Sequence, residues 1–114
     1  MKIILLGKPQ TTNTVYRRHG NIIYLSREGK ELKRYYTEQA KIQWKTGVIM
    51  AKVEIKIDLF FSDQRRRDID NWHKILLDSL TGIVWLDDSQ IFSMNVRKLY
   101  AEIPKVEITI VEIP

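Results

Sequence analysis

Asp68 and Asp70 stand one residue apart in the run RRRDIDNWHKILLDSL, directly after Arg65, Arg66 and Arg67, and a second acidic pair, Asp87 and Asp88, follows in GIVWLDDSQIF. In an extended segment residues i and i+2 point to the same side, so the carboxylates of Asp68 and Asp70 can converge. Two hard oxygen donors at that spacing can share a Mg²⁺ ion, which takes one or two carboxylates and keeps waters and phosphate oxygens in its shell. A third carboxylate from the Asp87–Asp88 pair would repel the other two and raise their pKa values unless a cation lay between them. The competing reading makes one of Asp68 and Asp70 a helix cap and the other a partner for the arginines. It leaves unexplained why Lys74 follows Asp70 by one helical turn and projects a cation along the same face.

The 114 residues contain 44% hydrophobic side chains and suit one compact domain, 1–114, without a linker. No apolar run approaches the ~20 residues needed to cross a bilayer, and no signal-peptide pattern is present, so a soluble cytoplasmic protein with no membrane partner is expected. There is no cysteine, and His19 and His73 are far apart in the chain, so any metal must be held mainly by oxygen. The net charge of +5 is unevenly divided: residues 1–57 carry 12 Lys/Arg against 4 acids, whereas residues 58–114 carry 7 against 10. A basic first half suits a polyanion such as nucleic acid, because clustered cations displace its condensed counterions. An acidic second half suits a metal, and a solvated charged surface is the plain alternative.

The elements that must position these residues follow from periodicity. Residues 1–6 read as a buried strand closed by the loop GKPQTTN, and VYRRHGNIIYLS reads as a hairpin turning at Gly20-Asn21. Ser26 caps a first helix over about 27–46, with Leu32, Tyr35, Tyr36, Ala40 and Trp44 at helical spacing and Gly47 at its end. KVEIKIDLFF alternates as a half-buried strand. A second helix is expected from Asp70 to Leu80, burying Trp72, Leu76, Leu80 and one of Ile75 and Leu77. Two last strands follow, expected to pair with each other across Ile103-Pro104. The pattern is α+β, a single mixed sheet with two main helices.

RRRDIDNWHK followed by WLDDSQI resembles the signature of the RusA-type Holliday junction resolvases, small endonucleases of bacteria and phages. The resemblance extends over almost the whole chain. It implies a homodimeric, Mg²⁺-dependent endonuclease, with Mn²⁺ as an alternative ion, that binds four-way DNA junctions and makes paired symmetric nicks in recombination and repair. It also implies that Asp68, Asp70 and Asp88 hold the metal, that Lys74 is the essential lysine, and that Asn13 matches an asparagine near the family's N-terminal strand. Asp87 stands as the alternative to Asp88.

Phosphodiester hydrolysis needs charge neutralised on nonbridging and leaving oxygens, a task for a metal with Lys74 beside it. Arg65, Arg66 and Arg67 can hold flanking phosphates through paired guanidinium donors. Tyr16, Arg17 and Arg18 form an aromatic and basic ribbon able to contact DNA, with plain hairpin packing as the alternative. Apolar side chains of the second helix, Leu76, Leu77 or Leu80, are candidates for a dimer contact. Two other functions fit part of the pattern: a noncatalytic DNA-binding protein, in which the aspartates serve stability alone, and a nuclease for other branched DNA.

Overall fold

The computed structural model describes residues Met1–Pro114. In chain order the elements are β1 (Lys2–Leu6), the one-turn helix α1 (Thr12–Val15), β2 (Tyr16–His19), β3 (Ile22–Leu25), α2 (Arg27–Gln43), β4 (Val53–Phe61), α3 (Lys74–Leu80), β5 (Ile91–Tyr100) and β6 (Lys105–Glu112). Short 3-10 turns at Ile69–Asn71 and Asp88–Gln90 precede α3 and β5. The fold is α+β. Its main sheet has four strands in the order β1-β6-β4-β5, while β2 and β3 form a separate hairpin.

The sheet is mixed: β4 runs antiparallel to β6 and parallel to β5. The expected β5–β6 pairing is therefore not formed. The four-residue connection 101–104 instead steps across the end of β4, where Ala101 N–H donates to Phe61 O and Phe60 faces Lys105. Burial explains the order. Val106, Ile108 and Ile110 are fully buried and need neighbours on both sides, whereas β5 carries Asn95, Arg97 and Lys98 and tolerates the edge. At the opposite edge, the side chains of Gln39 and Gln43 on α2 bond the free backbone of β1: Ile4 and Leu6 N–H donate to them, and Gln43 Nε2 donates to Ile4 O.

One face of the sheet is dry. Ile3, Leu5, Val53, Ile55, Ile57, Leu59, Val106, Ile108 and Ile110 pack with Tyr36 and Ala40 of α2 and Ile75, Leu76 and Leu80 of α3 in one hydrophobic cluster. Leu76 and Leu80 are thus core residues and cannot be dimer contacts, and Leu77 is partly buried against the same cluster. Trp44, Trp72 and Trp85 are buried, each with its indole N–H bonded within four residues, to Gly47 O, Asp68 O and Thr81 Oγ1.

Ser26 caps α2 as its sequence implies, its Oγ accepting from Gly29 N–H, but the helix stops at Gln43 and not near 46. Of its expected apolar face, Tyr35 is 46% exposed while Tyr36 is fully buried. The second helix is split: a 3-10 turn at Ile69–Asn71 is followed by α3 only from Lys74. The loop GKPQTTN ends in a helical turn, because Thr11 Oγ1 accepts from Thr14 N–H and caps α1.

Burial, then the charge of Tyr35, lifts the Tyr36 phenol from its ordinary 10.0 to about 12. The folded state therefore favours the neutral phenol. This stabilisation is complete below pH 10 and is lost as pH rises through about 12. Tyr36→Phe should flatten the alkaline limb of a melting-temperature profile taken between pH 8 and 12; a limb as steep as in the wild type would contradict this account of Tyr36.

Candidate functional site

The parallel pairing of β4 with β5 forces the chain to cross from Phe61 back to Ile91, and residues 65–88 lie in that crossover. Three contacts fix its first part. Arg67 packs its guanidinium 4.2 Å from the centre of the Phe61 ring, Phe61 meets Trp72 edge-on at 5.0 Å, and Trp72 Nε1 donates to Asp68 O. The segment then lies along the edge strand: Lys98 Nζ donates to Arg67 O, and His73 shares a cavity with Phe92 and Met94.

The seven aspartates divide by what their carboxylates touch. Asp58 takes both ends of the Arg97 guanidinium at 2.8 and 2.9 Å. Asp63 holds Arg67 at 2.8 Å and Arg65 at 3.5 Å, and Arg67, then the backbone N–H of Arg65, keep its carboxyl well below the usual range. Asp78 accepts from the Tyr16 hydroxyl and pairs with Lys74 at 3.4 Å. Asp87 caps the turn before β5, accepting from Ser89, whose side chain and backbone depress its pKa. The side chains of Asp68, Asp70 and Asp88 make no hydrogen bond or ion pair with the protein. All three are exposed.

These positions are not gathered as the sequence suggested. Asp68 is extended (φ −79°, ψ 141°), but Asp70 lies inside the 3-10 turn, so the strand alternation expected to align them stops at Ile69. No three His, Asp or Glu side chains stand together as a metal cage. Asp88 opens onto a cavity of about 300 Å³ lined by His73, Leu77, Ile91, Phe92, Ser93 and Met94. Nothing in the sequence context of His73 separates it from a packing residue.

Lys74 pairs with Asp78 and not with Asp70. Its ammonium sits 4.7 Å from the centre of the Tyr16 ring and pairs with Asp78, one turn further along α3. Burial, then the bond to Asp78, holds the Tyr16 phenol far above its ordinary value, so Tyr16 stays a donor. Asp78 was missed, although its position four residues after Lys74 is a readable helical pairing. Lys74, Asn13, Tyr16, Arg17 and Arg18 line one open groove of about 250 Å³, together with Thr12 and Ile23. The groove joins the carboxylate segment where Thr12 Oγ1 donates to Asn71 O. A larger hollow of about 410 Å³ between α1 and α2 carries Glu28 and Glu31 and is unsuited to a polyanion.

The three arginines have different fates. Arg66 is exposed and unpartnered, Arg65 is 72% exposed despite its Asp63 contact, and Arg67 is 11% exposed and braces the loop. The family model described as Endodeoxyribonuclease RusA matches residues 7–111. The chain belongs to the RusA endodeoxyribonuclease family. Proteins named crossover junction endodeoxyribonuclease RusA from Shigella sonnei (strain Ss046), Escherichia coli (strain K12) and Enterobacteria phage 82 are each 32% identical over 111 residues, covering 96% of this chain and 92% of their own.

Membership of the RusA nuclease family implies a divalent cation as cofactor. The donor set fits one. Asp68, Asp70 and Asp88 are hard oxygen donors with no internal partner to displace, and an ion completing its shell with water and phosphate needs only one or two of them. No helix is long and apolar enough to cross a membrane.

The division of the aspartates predicts their stability effects. Asp58→Ala removes the carboxylate that binds both ends of the half-exposed Arg97 guanidinium, and it and Asp78→Ala should each lower the melting temperature. Asp68→Ala, Asp70→Ala and Asp88→Ala should each stay within about 0.5 kcal/mol of the wild type. Thermal unfolding of the five variants checks this, and a large loss at Asp68, Asp70 or Asp88 would assign that residue a structural role.

Proposed function

We propose that this chain is a structure-selective endodeoxyribonuclease that resolves four-way DNA junctions by paired hydrolysis, using Mg²⁺ or Mn²⁺, as one endonuclease domain over residues 1–114. The reading is carried by one observation: three of the four aspartates in the family-like motifs, Asp68, Asp70 and Asp88, are left without partners, while Asp87 and every aspartate outside the motifs are engaged. A protein that used these side chains only for stability would not leave them free in water. The names of the relatives, crossover junction endodeoxyribonucleases, point to the same substrate.

Asp68, Asp70 and Asp88 are assigned to hold the cation. Asp87, whose carboxylate is occupied by the cap, is left to support the turn. When bound, the cation supplies activation of the attacking water and neutralisation of charge on the phosphate oxygens. Lys74 offers an ammonium to a phosphate in the groove, oriented by the Tyr16 ring and by Asp78. Arg66 and Arg65 reach flanking phosphates, while Arg67 keeps the loop in place. Asn13, Arg17 and Arg18 extend the basic track along the groove, and Tyr16 serves it by holding Lys74.

Release of two intact duplexes from a four-way junction requires two opposed nicks, and one chain supplies one such set of aspartates. A two-fold symmetric homodimer supplies both. The place of action is the cytoplasm of a bacterial or phage-infected cell.

Incubation of the purified protein with a mobile four-way junction, a fork and linear duplex, each with and without Mg²⁺, tests the reading. Metal-dependent cutting of the junction and little of the duplex is expected, and equal cutting of all three would overturn junction selectivity. Asp68→Asn, Asp70→Asn and Asp88→Asn should each lose cleavage by at least about 100-fold (~2.7 kcal/mol) while binding the junction as well as the wild type or better. Asp87→Asn should remain active. Light scattering should report twice 13.5 kDa, and a supercoiled cruciform plasmid should go to linear product without lasting nicked circles; a monomer on DNA would defeat the dimer.

A further inference from the structure

The β2–β3 hairpin stands apart from the main sheet, and its base is rigidly held. Ser26 N–H donates to Val15 O, Ser26 Oγ reaches Thr14 O and Val15 O, and Val15 is buried. At Gly29 an added Cβ would lie 2.2 Å from Val15 O, so α2 is pressed directly against that base. Beyond the base the hairpin turns through Gly20, at φ +60°, and Asn21. Its far strand exposes three consecutive large apolar side chains: Ile22 at 66%, Ile23 at 61% and Tyr24 at 48%. A two-stranded ribbon gains no folding energy from apolar groups left in water, so these residues call for an occupant.

The charge around them selects that occupant. No acidic residue precedes Glu28, and Arg17, Arg18 and His19 on β2 form no ion pair. Cross-strand register places Arg18 beside Ile23 on one face of the ribbon and Arg17 beside Tyr24 on the other, with Ile22 opposite His19. Each face therefore offers a cation for phosphate beside an apolar or aromatic group for a base. The Arg18–Ile23 face opens into the groove that holds Lys74. Intact duplex presents phosphates but no exposed base faces, whereas a branch point presents both. Apolar side chains that enter opened base steps beside basic ones are a known physical solution for kinked DNA.

We propose that the β2–β3 hairpin is a wedge for the branch point: Ile22 and Ile23 enter between bases that have lost a stacking neighbour, while Arg17 and Arg18 hold the phosphates on either side. This rests on the junction-cleaving function proposed above and adds the element that distinguishes a junction from duplex. Phosphate contacts by the arginines contribute to both substrates, and the isoleucines contribute to the junction alone.

The test uses a four-way junction with 2-aminopurine beside the branch point and a duplex with the same label and flanking sequence, both in Ca²⁺ to prevent cutting. The wild-type protein should raise the fluorescence of the junction several-fold and leave the duplex unchanged. The double variant Ile22→Ser, Ile23→Ser should keep its circular dichroism, melting temperature and duplex affinity, lose the fluorescence rise, and bind the junction about tenfold more weakly. The double variant Arg17→Ala, Arg18→Ala should weaken both substrates alike and reduce the salt dependence of binding. A full fluorescence rise in the isoleucine variant overturns the wedge. So does conversion of that variant from dimer to monomer in light scattering, which would make the hairpin a contact between copies of this chain. Wild-type protein that cuts the junction selectively while the wedge fails leaves the function standing. Wild-type protein that neither prefers nor cuts the junction removes both.

Discussion

The pairing of β4 with β5 in the same direction is the constraint from which the rest follows. Parallel neighbours cannot be joined by a tight turn, so the chain must leave the end of β4, pass over the apolar face and re-enter at the start of β5. Arg65, Arg66, Arg67, Asp68, Asp70, Lys74 and, at the point of re-entry, Asp88 all lie on that path. The return path is buried by Trp72, Ile75, Leu76 and Leu80, which anchors the segment while leaving its carboxylates in water. The same crossover makes β5 an edge, and so leaves one flank of the sheet beside the carboxylates uncovered.

Apart from the packing of α2 on α3, the basic segment before α2 meets this crossover through polar contacts with defined roles. Thr12 bonds the turn that carries Asp70, Tyr16 meets Asp78, and Lys74 rests on the Tyr16 ring. The hairpin and α3 therefore share one charged network. A cation–aromatic contact and a carboxylate together confine a long flexible side chain that would otherwise sample many rotamers. The acidic and basic halves of the sequence meet at this seam.

Much of this was readable from residue order. Alternation at Val53, Ile55, Ile57 and Leu59 marks the central strand, Ser26 marks the start of α2, and Gly20-Asn21 marks the hairpin. The order of strands was not readable, because a short connection between β5 and β6 allows either a hairpin or a step across β4, and only the buried face of β6 decides between them. The split of the second helix was also hidden: Asp70 and Trp72 fit a helical period, but Trp72 turns back to bond Asp68 O. At the site, the types of residue were legible and their partners were not. Arg67 reads as a phosphate clamp until Phe61 and Asp63 are seen beside it. Asp87 and Asp88 are equivalent in sequence and differ once Ser89 and Gln90 complete the cap on Asp87.

We propose that a divalent cation is held between the crossover and β5 by carboxylates drawn from Asp68, Asp70 and Asp88, which the fold leaves without partners. The most direct measurement is paramagnetic broadening of amide signals as Mn²⁺ is added to ¹⁵N-labelled protein, alone and with a short duplex that supplies phosphates. Signals at Asp68, Asp70 and Asp88 should broaden together at low Mn²⁺, while those at Asp58 and Asp63 should persist. Broadening centred on Asp58 or Asp63, or none near Asp68, Asp70 and Asp88 with duplex present, would contradict it.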